Sequence, residues 1–170
     1  LDTSTVTSMA NISSMFRGCS SLISVNLGSF ITDKVTNMAY MFKDCTSLTS
    51  IDFNGLNTSK VTDMKYIFDN CSSLISVDGL NSIDTTEVAS MAYMFRGCSS
   101  LESIDLSGLN TSKVTSIASA FVNCSSLKSI NLSGLNTSLV TDMSNLFNGC
   151  GSLESIDLSG LDTSKVTSIA

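Results

Sequence analysis

Cysteine recurs along this chain at an almost constant interval. Cys19, Cys45, Cys71, Cys98, Cys124 and Cys150 are separated by 26, 26, 27, 26 and 26 residues. A fixed period of this size marks a solenoid, in which each repeat buries its apolar side only against its neighbours. Phe16, Phe42, Phe68, Phe95, Phe121 and Phe147 form a second column, and Leu22, Leu48, Leu74, Leu101, Leu127 and Leu153 a third. The single longer interval is accounted for by an extra residue at Gly79, which predicts a bulge in a strand. Val6 to Cys19 spans 13 residues against 10 from Val35 to Cys45, which predicts a first helix longer by one turn.

Within one unit, Leu101, Ile104, Leu106 and Leu109 read L-x-x-I-x-L-x-x-L. The alternation from Ser103 to Leu106 predicts a short strand with Ile104 and Leu106 inward. Stacked at one phase, such strands form a parallel sheet with one strand per coil. The second half of the unit has another period. Val61, Met64, Phe68 and Cys71 fall at i, i+3, i+7 and i+10, the spacing of one helix face. Thr62 then suits an N-cap and Asp63 the first turn. Asn70-Cys71-Ser72 and Gly97-Cys98-Ser99 supply stop chemistry. Met38, Met64, Met91 and Met143 share a phase with Ile117 and Ile169, which marks that column as core filler.

Composition excludes several functions. The chain has 170 residues, 42% of them apolar and 14% charged, with a mean hydropathy of +0.28, so it is not disordered by composition. Its net charge of −6 argues against nucleic acid, and no basic amphipathic stretch suits an anionic membrane. No apolar run approaches the roughly 20 residues that span a bilayer. Without histidine, Ser-His-Asp and Cys-His catalysis and His-ligated metals are excluded. Ser and Asp sit in columns rather than as one nucleophile–base pair, so an enzyme is not expected.

The fuller pattern F-x-x-C-S-S-L-x-S-I-D-L-S-G-L-N-T-S-K-V-T-x-M resembles the BspA-like variety of leucine-rich repeat. That is the cysteine-containing repeat of bacterial surface proteins, including mycoplasma-type surface lipoproteins. The resemblance covers essentially the whole chain. It implies an α/β solenoid, a right-handed superhelix of about six coils with one short parallel strand and one short helix per coil. Residues 1–170 are read as one such solenoid. The chain opens with LDTSTVTSMA and closes with LDTSKVTSIA, so an uncapped slice of a longer array is expected. The resemblance further implies an extracellular, cell-surface setting and a binding or adhesion role toward a protein or glycan of host or neighbouring cells. A structural spacer, or a segment that self-associates end to end, is the alternative. An ice-binding solenoid fits less well, since the threonines lie in turns rather than on a flat strand.

Two surfaces are candidate binding sites. On the outer sheet face lie Ser50, Asp52, Ser76, Asp78, Ser103, Asp105 and Asp157. Stacked carboxylates about 5 Å apart repel, which predicts raised pKa values or recruitment of a cation such as Ca2+. The alternative is a solvated polar face with screened charges. On the helix face, Tyr40, Tyr66 and Tyr93 share one phase, with Arg17, Lys43 and Arg96 nearby. Tyr with Arg is typical of interface anchors, whereas Tyr–Tyr stacking alone would only cover the helix layer. The cysteine column is read as buried, reduced thiols, with disulfides between neighbouring coils as the alternative. No protein metal site is expected, because no C-x-x-C pair is present.

Overall fold

A computed structural model describes residues 10–28 and 30–170. The chain winds as a solenoid, each residue lying over its counterpart one repeat along. Two walls enclose an apolar interior. The sheet wall carries β1 (Ser50–Asp52), β2 (Ser76–Asp78), β3 (Ser103–Asp105) and β4 (Ser129–Asn131). Within the pairs, Ile51 lies over Val77 and Ile104 over Ile130, in parallel register. Strands this short form because Ile or Val between two polar residues reaches the interior while its neighbours stay outside.

The opposite wall departs from the expected helix. Among the described residues the only helix is the 3-10 turn Leu80–Ser82. Val61, Met64, Phe68 and Cys71 do face inward, and all are buried. They arrive there by successive tight turns. The N–H groups of Ile67, Asp69 and Cys71 donate three residues back, to Met64, Tyr66 and Phe68. Those of Tyr66, Phe68 and Asn70 donate instead to Ala92, Met94 and Arg96 of the next coil. Tyr66 and Asn70 are left-handed, at φ 59 and 62°. An α-helix needs every N–H directed four residues back. Here half of them bond between coils, so the wall is a ladder of turns with apolar positions three and four residues apart.

The cap residues are reassigned accordingly. Thr62 Oγ1 donates to the Thr36 carbonyl of the preceding coil. Asp63 forms parallel bridges to Asn37 and Ser90, and its Oδ1 accepts the Lys65 N–H. This bridge column runs unbroken through Asn11, Asn37, Asp63, Ser90, Ser116, Asp142 and Ser168. The extra turn expected after Val6 lies outside the described residues. From Asn11 onward the bridged residues lie 26 apart, or 27 between Asp63 and Ser90.

The interior is layered by residue type. Phe16, Phe42, Phe68, Phe95, Phe121 and Phe147 stack at centroid distances of 5.4 to 5.7 Å. Each thiol from Cys45 to Cys150 donates to a phenylalanine carbonyl, as in Cys71 Sγ to Phe42 O at 3.0 Å. Burial pushes the Cys45 thiol up to about 11 and the Cys124 thiol to about 12, against an ordinary value of 9.0. A buried threonine column closes the corner between the walls. Thr58, Thr85, Thr111 and Thr137 each donate Oγ1 to a carbonyl of the next coil at 2.9 Å. Met38, Met64, Met91 and Met143 are buried as core filler, while Ile169 is exposed.

Candidate functional site: the groove in the sheet wall

The extra residue at Gly79 does more than bulge a strand. β1 pairs with β2 and β3 with β4, but β2 and β3 are not paired, so the expected continuous sheet is two separate sheets. Gly79, at φ 71°, leads into the 3-10 turn Leu80–Ser82. That turn returns Leu80 to the core, where Leu106 of the next coil is buried too. Only glycine fits at 79: a Cβ there would sit 2.6 Å from the backbone nitrogen of Asn54. The insertion thus costs the wall one strand pairing and leaves its surface open.

A groove of about 520 Å³ occupies this break. Ser76 and Asp78 line one side, and Ser103 and Asp105 the other, and Asn54, Asn81 and Ser82 complete the lining. Four of the candidate sheet residues therefore converge on one place. Ser50 and Asp52 lie one level away on β1. Asp157 lies two levels beyond β3, beside a second groove with Asn131 and Ser133.

The carboxylates behave differently from the repulsive stack expected. Asp52, Asp105 and Asp157 each accept the backbone N–H two residues on, from Asn54, Ser107 and Ser159, at 2.7 to 2.9 Å. Asp105 is held below the ordinary carboxylate range by the Ser107 N–H, then by the Ser107 side chain, with smaller help from Asn81 and Asn131. Asp157 is lowered too, by the Ser159 side chain first and then by the Ser159 N–H. These shifts run opposite to the expected rise. Asparagines flank Asp105 on both sides, and local N–H donors outweigh repulsion across solvent. Among the described residues, no three His, Cys, Asp or Glu side chains converge as a metal site.

The second candidate surface lies on the turn wall. The rings of Tyr40, Tyr66 and Tyr93 are half-buried and stack at 4.8 and 4.4 Å, nearly parallel. Arg17 lies over Tyr40, and Arg96 over Tyr66 and Tyr93. Arg96 is fixed by a bidentate pair to buried Asp69, with Nε and a terminal nitrogen at 2.7 and 2.8 Å. Lys43 pairs with the same carboxylate rather than with the tyrosines. All three tyrosines are left-handed, in a slot where Ser14, Ser119 and Asn145 are left-handed too. The slot thus demands the conformation but not the ring.

Sequence reasoning missed Asn54, Asn81, Ser82 and Asp69. The first three carried a signal. For Asn81 and Ser82 it is the segment after Asp78, GLNSIDTTEV against LSGLNTSKV in the next coil; for Asn54 it is an asparagine where later coils carry Ser107, Ser133 and Ser159. Asp69 carried none, because its cationic partners lie 26 and 27 residues away.

Comparison with known proteins fixes the family. A family model described as "Mycoplasma protein of unknown function, DUF285" matches residues 1–104 and 91–170. The chain belongs to that family. Its repeat is of the BspA-like leucine-rich kind that the residues indicated. A leucine-rich repeat protein from Bacteroides ovatus superposes with a TM-score of 0.59 at 25% identity, over 86% of this chain and 34% of that one. The leucine-rich repeat protein of T. pallidum superposes with a TM-score of 0.50 at 22% identity, over 84% and 70%. This chain therefore spans about a third of the length of the Bacteroides protein. None of the curated proteins matches it.

Proposed function

We propose that this chain is a non-enzymatic, protein-binding scaffold within an extracellular, cell-surface protein. Its sheet wall engages a protein or glycan of host or neighbouring cells, as an adhesin segment does. The observation that carries this reading is the groove between β2 and β3. Positions that repeat at every level serve packing. A partner is selected where one level differs, and here exposed Asp78 and Asp105 lie beside serine and asparagine in an opened wall. A leucine-rich-repeat scaffold suits an interaction role in general. The groove lining holds no histidine, cysteine, lysine or tyrosine to act as base or nucleophile, which favours binding over chemistry.

The test is saturable binding of purified protein to host-cell and microbial surfaces. The Ser76→Ala, Asp78→Asn, Ser103→Ala and Asp105→Asn variants are compared with wild type. A loss of at least about tenfold in affinity for the combined variant supports a site in the groove. Binding to none of these surfaces would favour the spacer reading.

A further inference from the structure

We infer that the groove between β2 and β3 receives a lysine or arginine side chain from a partner protein. This rests on the scaffold reading above and names the chemistry of the occupant. Charge complementarity is the first argument. Asp78 and Asp105 face the groove from its two sides, and no Lys or Arg is among the residues that line it. Elsewhere two exposed cations have acidic partners of their own: Lys113 pairs with Glu87 and Lys128 with Glu102.

The second argument is the state of Asp78. In the same column Asn26, Asp52, Asp105, Asn131 and Asp157 all accept the N–H two residues on and so cap their own turns. At Asp78 the inserted Gly79 and the 3-10 turn take that place, and Ser82 N–H donates to the Gly79 carbonyl instead. Asp78 is exposed and accepts no such bond, so the level that opens the wall also frees its carboxylate.

The third argument is apolar. Ile75 is 59% exposed and lines the groove with half-buried Val77 and Ile104. Ile75 occupies a column that carries Thr49, Glu102 and Lys128 at the neighbouring levels. An aliphatic strip therefore lies beside two carboxylates in this groove. A Lys or Arg side chain, with methylenes below a cationic head, matches both parts. A neutral sugar matches neither, for no aromatic ring lines the groove and the two charges would stay unpaired.

The experiment uses the whole chain, isotope-labelled, titrated by NMR with a short extended peptide bearing one arginine and with its citrulline counterpart. The expected result is movement of amide signals confined to Ser76–Ser82 and Ser103–Asp105 with the arginine peptide, weakened by salt. Asp78→Asn, which removes no hydrogen bond, should weaken binding roughly three- to tenfold, while the exposed Glu154→Gln leaves it unchanged. Deleting Gly79 restores the 26-residue spacing and should abolish the shifts; its fold is checked by the turn-wall signals. Equal binding of the citrulline peptide, or indifference to Asp78→Asn, overturns this inference. If cell-surface binding is still lost on altering the groove, the scaffold reading stands and only the cationic occupant falls. If neither peptide nor surface binds, both fall.

Discussion

The two walls of this solenoid meet the same one-residue insertion and respond differently. On the turn wall the bridge column passes from Asp63 to Ser90 without a gap, although these residues are 27 apart rather than 26. On the sheet wall the pairing stops between β2 and β3. The turn wall is held by what lies behind it. Phe68 and Phe95 stack at 5.4 Å, and the Cys98 thiol donates to the Phe68 carbonyl. Each strand has three residues, and one inward side chain sets its register. The extra residue is absorbed where least is lost, and that place becomes the groove.

The largest effect should come from the turn wall. Phe68 is fully buried between Phe42 and Phe95 and touches Phe53. Phe68→Ala should cost about 3 to 5 kcal/mol in denaturant melts, with hydrogen-exchange protection lost on both walls of the flanking coils. Damage confined to one coil would show that the column does not set the register.

On the sheet wall, Gly79→Ala meets both a positive φ and the Asn54 backbone. It should cost about 2 kcal/mol, read by the same melts, with exchange rising at Asn54 and Ser82 but not at Ser90. A global change would mean that the two walls are coupled more tightly than the ladder suggests.

A smaller effect of opposite sign is expected at Ala120. Its column otherwise carries Met41, Ile67, Met94 and Leu146, and a small apolar cavity of about 30 Å³ lies beside it. Ala120→Leu should stabilise by about 1 kcal/mol, seen as a higher melting temperature. Destabilisation would show that neighbouring side chains already close that space.

Smallest is the dependence on pH. The buried thiols of Cys45 and Cys124 are raised to about 11 and about 12 from 9.0, so the folded state favours their neutral form. Their contribution is complete below pH 9 and is lost as pH climbs through the folded values, which melts at stepped alkaline pH would trace. Replacing Cys45 with Ala should flatten that decline. Thiol labelling at neutral pH should mark exposed Cys19 first, and equal labelling of Cys71 would mean that the coils open readily.

The sequence by itself determined the period, the family and the inward columns. Phe, Cys, Leu and Val recur at one phase because every level must fill the same interior, and that demand is written residue by residue. It also located the irregular coil, since a 27-residue interval and a glycine are local facts. The backbone of the turn wall was decided only in three dimensions. A spacing of three and four residues serves an α-helix and a run of tight turns equally, and the choice depends on carbonyls one coil away. The aspartate column was settled in the same way, for its charges answer to N–H groups that the turns aim at them. So was the groove, which exists because two strands that match in sequence lie at levels where one added residue kept them from pairing.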